Sequence, residues 1–91
     1  MENKQAPGLD QAIQEDRQLT FGEKAIGTSF NPSGIHGVDR IKAIFANAID
    51  EMNNFRKSES STAEQKRLAS IAITEAQGAQ MWAVKALTWK D

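Results

Sequence analysis

Residues 62–89 constrain this chain more than any other stretch, because no proline interrupts them and their apolar side chains wind most of the way round a helix. With Leu68 at 0° and about 100° per residue, Ile71, Ala72, Ala76, Ala79, Trp82, Ala83, Ala86 and Trp89 fall between about 300° and 80°. Ala69, Ile73, Val84 and Leu87 extend the apolar surface to about 160°, an arc of roughly 220°. Arg67, Ser70, Thr74, Gln77, Gly78 and Lys85 fill the remaining strip, and Glu75 and Gln80 interrupt the apolar arc. Ser61-x-x-Glu64 and Thr62-x-x-Gln65 both match a capping box, in which a hydroxyl accepts an otherwise unpaired backbone N–H. The spacing predicts a helix from there to Trp89, about 42 Å long. No single neighbour can cover a helix that is apolar over so much of its circumference.

A second helix is predicted from Val38 to Arg56, roughly 28 Å long. Val38, Ile41, Ile44, Phe45, Ala48, Ile49, Met52 and Phe55 share one arc of roughly 140°, a single face that wants a single partner. Lys57 to Ser61 is a short connection, so the two helices form an antiparallel hairpin. Upstream, Asn31-Pro32-Ser33-Gly34 fits a turn, Leu9, Ala12, Ile13 and Leu19 make a weakly helical piece, and residues 1–8 with Pro7-Gly8 are expected to fray. The expected architecture is all-α, a short N-terminal helix or loop segment followed by the hairpin, as one domain over residues 9–90. Either residues 9–30 close a three-piece monomeric bundle, or the surplus apolar surface buries against further copies. Patches of this size are rare on monomers, which favours a homo-oligomeric helical bundle.

Composition narrows the function. Eleven basic against twelve acidic residues give a net charge of −1, too little positive charge for a general nucleic-acid or membrane-surface binder. With no cysteine and one histidine, thiolate chemistry and the usual zinc cages are excluded, and no cofactor is expected. His36 has no partner in sequence to orient it for acid–base work, and the adjacent Asp50-Glu51 point apart on their helix. The chain therefore reads as a cytosolic binding protein rather than an enzyme.

Binding chemistry concentrates in residues 21–31. Gly22-Glu23-Lys24-Ala25-Ile26-Gly27-Thr28-Ser29 lacks the Gly-Lys-Ser/Thr order of a phosphate loop. It does hold two glycines, a lysine and two hydroxyls that would suit a phosphate, or else it is an ordinary connector with a solvated lysine. Lys66-Arg67 sits where a helix dipole disfavours cations, so the pair either meets an anion or is a solvated surface pair. Phe21 and Phe30 flank Lys24 and are the aromatics best placed to stack a base, whereas Phe45, Phe55 and Trp82 read as core.

The segments Phe21-Gly22-Glu23-Lys24 and Phe30-Asn31-Pro32-Ser33-Gly34, then Ile41-Lys42, Phe45-Ala46 and Ala48-Ile49-Asp50, form a recognisable series. With Ala72-Ile73-Thr74-Glu75-Ala76-Gln77 and Gln80-Met81-Trp82-Ala83-Val84-Lys85-Ala86, the chain resembles the small phage anti-CBASS proteins that sequester cyclic nucleotides. Those proteins share a helical-hairpin domain with the phage sponges that counter Thoeris signalling. The resemblance covers about residues 20–90. It implies a hexamer in the host bacterial cytoplasm that soaks up cyclic di- and trinucleotides without cleaving them. It further implies a lysine on phosphate and an aromatic on base, with trinucleotides held in separate polar, arginine-lined pockets. Carried onto this sequence, Lys24 is the candidate phosphate ligand, Gly27, Thr28 and Asn31 candidate pocket residues, and Arg67 the candidate guanidinium. The family's N-terminal tyrosine has no counterpart, since the chain has no tyrosine, and Phe21 is its candidate substitute. A cyclic ADP-ribose isomer as ligand, or a helical adaptor that binds no nucleotide, are the rival expectations.

Overall fold

The computed structural model describes residues 18–91. The fraying of residues 1–8, the weak helix around Leu9, Ala12 and Ile13, and a domain start at residue 9 lie outside the described residues. Within them the chain forms α1 (Phe21–Ile26), α2 (His36–Lys57) and α3 (Ala63–Thr88), with no strand. The all-helical class and both long helices match the expectation, with boundaries within two residues of those the periodicity predicts.

Of the two overlapping capping boxes, Thr62 and Gln65 form the real one. The Gln65 N–H donates to Thr62 Oγ1 at 3.1 Å and the Thr62 N–H to Gln65 Oε1 at 2.8 Å. Ser61 is buried instead and its hydroxyl donates to the Phe55 carbonyl at 2.7 Å, closing the loop. Lys66 reaches back across that loop, donating to the carbonyls of Arg56 and Ser58 at 2.7 and 2.8 Å. A cation that the α3 dipole disfavours thus caps the C-terminal end of α2, where the dipole favours it. Arg56 Nη1 donates to Ser70 Oγ at 2.9 Å near the loop, while a Cβ on Gly37 would lie 3.8 Å from the Leu87 side chain. Those two contacts, at opposite ends, make the hairpin antiparallel.

The segment 22–29 departs from the connector reading. Phe21–Ile26 is helical because Thr20 and Glu23 form a further capping box, with bonds of 3.0 and 2.9 Å. Gly27 then ends the helix at φ 73°, a left-handed conformation that glycine adopts without strain. Gly22 serves packing rather than ligand approach. Its N–H donates to Asp50 Oδ1 at 2.7 Å, and a Cβ there would stand 2.0 Å from the Ala46 carbonyl oxygen. The Asn31 to Gly34 turn forms as expected, with the Gly34 N–H donating to the Asn31 carbonyl at 3.1 Å.

Ile26, Ala46, Ile49 and Ile73 pack where the three helices meet, and Ile49 is fully buried. The inward stripe of α2 is Val38, Lys42, Ala46, Ile49 and Asn53. Its centre lies about 90° round the helix from the centre of the apolar arc. The expected single face is therefore divided: Val38 and Ile49 turn inward, while Ile44 and Phe55 are exposed. On α3, Ala69, Ile73 and Gln80 are buried, and Leu68, Ile71, Trp82 and Trp89 are exposed roughly 150° away. Ala46 on α2 and Ala69 on α3 are among the buried residues. Ile26 from α1 packs with Ala46, Ile49 and Ile73. At the far end of α3 the Lys85 ammonium lies 5.7 and 5.6 Å from the ring centroids of Trp82 and Trp89.

Because α1 is docked through the missing side chain at position 22, a Gly22→Ala variant is expected to lose about 1–3 kcal/mol of stability. Urea unfolding checks it; an unchanged midpoint would mean that α1 does not rest on Ala46.

Candidate functional site

Five of the six residues singled out by sequence lie on α1 and its exit. Phe21 is packed beneath the Arg56 guanidinium, 5.2 Å from ring centroid to carbon. The same guanidinium donates to Asn53 Oδ1 and Ser70 Oγ, so Phe21 is tied through Arg56 to both long helices. Lys24 is exposed on α1, in the last turn, where a cation complements the dipole. Gly27 is the left-handed cap, and its carbonyl accepts from Lys42 Nζ at 3.1 Å. Asn31 holds the entrance to α2, its amide donating to the Ile35 carbonyl at 3.0 Å and to Asp39 Oδ1 at 2.9 Å.

Thr28 lines a cleft of about 400 Å³ with Thr20, Glu23, Ala43, Ala46, Asn47 and Asp50. In that lining the Glu23 carboxylate accepts from the Thr20 N–H and the Asp50 carboxylate from the Gly22 N–H. Arg67, the sixth residue, stands apart. Its guanidinium makes two bonds to Glu64, at 3.0 and 2.6 Å, on the exposed first turns of α3. No hydrogen bond joins it to α1 within the protomer. The pairing lowers the Glu64 carboxyl below its ordinary value and raises the Arg67 guanidinium.

His36 opens α2 and lines a small cleft with Gly37, Asp39 and Arg40. Among the described residues no three His, Cys, Asp or Glu side chains are arranged to hold a metal ion. Nor is any described helix long and apolar enough to cross a membrane.

Sequence reasoning missed two residues at the centre of the molecule. Lys42, 5% exposed, donates to the carbonyls of Gly27 and Phe30, pinning the exit of α1 to α2. Its ammonium also lies 5.4 Å from the Phe30 ring centroid. Gln80, 6% exposed, lines a second cleft between the three helices. Gln80 was legible as an interruption of the apolar arc. Lys42 was not, because its position falls outside that arc.

A family model described as the Acb2/Tad1 hairpin domain matches residues 15–88. The chain belongs to that family. It is the anti-CBASS and anti-Thoeris sponge family, as the Gln80 to Ala86 run implied, and the match spans all three helices. Searches against curated proteins and against solved structures returned no match.

The Glu64–Arg67 pair gives a pH-dependent signature. Since the folded Glu64 value is depressed, the pair is intact above the ordinary carboxylate range and loosens as pH falls through the depressed value. In an Arg67→Met variant the Glu64 carboxyl titration, followed by carbon NMR, is expected to move up towards the ordinary range. An identical midpoint in both proteins would show that the pair does not persist in solution.

Proposed function

We propose that this protein binds and sequesters cyclic di- and trinucleotide second messengers without cleaving them, and so keeps them from activating a CBASS effector in the host bacterial cytoplasm. Family membership over residues 15–88 carries the reading. Exposed apolar stripes on both long helices, Ile44 and Phe55 on one and Leu68, Ile71, Trp82 and Trp89 on the other, support assembly with further copies. The proposed assembly is the hexamer that the family resemblance implies. Symmetric assembly of short chains builds pockets at subunit boundaries, where one protomer supplies too little surface to enclose a nucleotide.

In this reading the exposed Lys24 donates to a ligand phosphate, Phe21 offers a ring to a base, and Gly27, Thr28, Asn31 and Arg67 line pockets completed by neighbouring protomers. Arg67 would exchange its Glu64 carboxylate for phosphate, which offers the same forked acceptor geometry. Sequestration requires no nucleophile, general base or metal, only affinity above that of the effector.

The shared family model also covers sponges that counter Thoeris signalling, so a cyclic ADP-ribose isomer is the second reading. A ligand panel analysed by native mass spectrometry separates the two readings, and absence of binding across the panel would leave a helical adaptor.

Incubation with a cyclic dinucleotide, followed by denaturation of the protein, is expected to return the ligand intact; linear product would refute sequestration. Lys24→Ala is expected to weaken cyclic dinucleotide binding by about ten- to a hundredfold, the loss of one charge-assisted hydrogen bond. Sedimentation should show the same assembly for both proteins. Unchanged calorimetric affinity would remove Lys24 from the site.

A further inference from the structure

Four polar side chains are buried among the described residues: Lys42, Asn53, Ser61 and Gln80. Three have side-chain hydrogen-bond partners. Lys42 donates to two carbonyls, Asn53 accepts from Arg56 at 3.0 Å, and Ser61 donates to the Phe55 carbonyl. The Gln80 carboxamide makes no hydrogen bond within the described residues, although 94% of its surface is covered, the complement of its 6% exposure. An unmet buried amide costs roughly 1–3 kcal/mol, and apolar replacement at such a place is close to neutral or stabilising. Gln80 lies on the wheel between Ala69 and Ile73, where leucine or methionine would serve the fold better. A fold-based reason for a glutamine here is therefore missing.

Gln80 borders open space. It lines a cleft of about 410 Å³ with Phe30, Lys42, Gln77, Met81 and Val84. Phe30 is 68% exposed and presents a flat aromatic face, and Met81 is an adaptable apolar side chain beside it. Gln77 uses an amide N–H on the Ala25 carbonyl at 3.1 Å, which leaves its own oxygen as an acceptor at the cleft. Lys42 keeps one N–H beyond the two given to carbonyls. A cationic ligand is disfavoured by that ammonium. The lining therefore suits a planar, non-cationic molecule with a donor beside an acceptor on one edge.

We propose that this cleft between α1, α2 and α3 is a purine-base site, in which Gln80 pairs with the donor–acceptor edge and Phe30 stacks on the ring. A glutamine carboxamide matches adenine N6 and N7 in a two-bond arrangement, and the N1–H and O6 of guanine offer the same alternation. Purines present a larger π-face to Phe30 than pyrimidines and so stack more strongly. The natural ligand rests on the sponge reading above, with the purine supplied by a cyclic nucleotide. The base site itself is separate from the Lys24 phosphate contact.

Free nucleosides carry no phosphate and test the base site alone. Titrating the ¹⁵N-labelled full chain with adenosine and guanosine is expected to shift the Gln80 side-chain amide signals saturably. Cytidine, uridine and ribose 5-phosphate should do so weakly or not at all. Gln80→Met is expected to keep or raise the unfolding midpoint and weaken purine binding at least tenfold. Two results would overturn the proposal: no saturable shift with either purine, or purine affinity unaffected by Gln80→Met. If cyclic nucleotides still bind in that case, the purine cleft alone fails and the sponge reading stands. Failure of cyclic nucleotides to bind while purines shift Gln80 would sink the sponge reading and leave the cleft.

Discussion

Ile49 has no exposed surface, and Ile26 from α1, Ala46 on its own helix and Ile73 from α3 close round it. Much of the remaining architecture follows from this meeting point. The buried residues of the two long helices mix isoleucine and valine with the small Ala46 and Ala69. Ile44, Phe55, Leu68, Ile71 and Trp82 are left facing outward. The outward apolar surface is what these inward stripes leave over.

A core of a few isoleucines, a valine and alanines buries little surface, as expected for a chain this short. Long basic side chains supply further ties. Lys42 holds the carbonyls at the end of α1, Lys66 holds those at the end of α2, and Arg56 bridges Asn53, Ser70 and the Phe21 ring. Each ammonium or guanidinium sits against carbonyl or hydroxyl oxygens, where a charged donor strengthens the hydrogen bond. The aliphatic stems cover apolar surface on the way. Cations that a sequence pattern would offer to phosphate are in these cases engaged inside the protomer, whereas Lys24 and Arg67 point outward.

The candidate site was legible in its location and less so in its construction. Residues 21–31 stood out because glycines, hydroxyls, a lysine and two phenylalanines cluster there. Their helical conformation went unread, although Thr20-x-x-Glu23 is the same kind of capping box that marked the start of α3. Gly22 was misleading because glycine permits close approach of any group, and the group here is the Ala46 carbonyl.

The sequence by itself determined two long helices, the capped start of the second, the short loop that folds them antiparallel, and an apolar surface wider than the hairpin can cover. These follow from local periodicity and turn chemistry, which act over a few residues. Only the tertiary structure decided how far each helix turns about its own axis. That rotation depends on which side chains meet across the gap, a property of pairs distant in sequence. It put Lys42 inside and Ile44 and Leu68 outside, against the apolar arc of each helix, and it buried Gln80, the polar residue within the arc of α3.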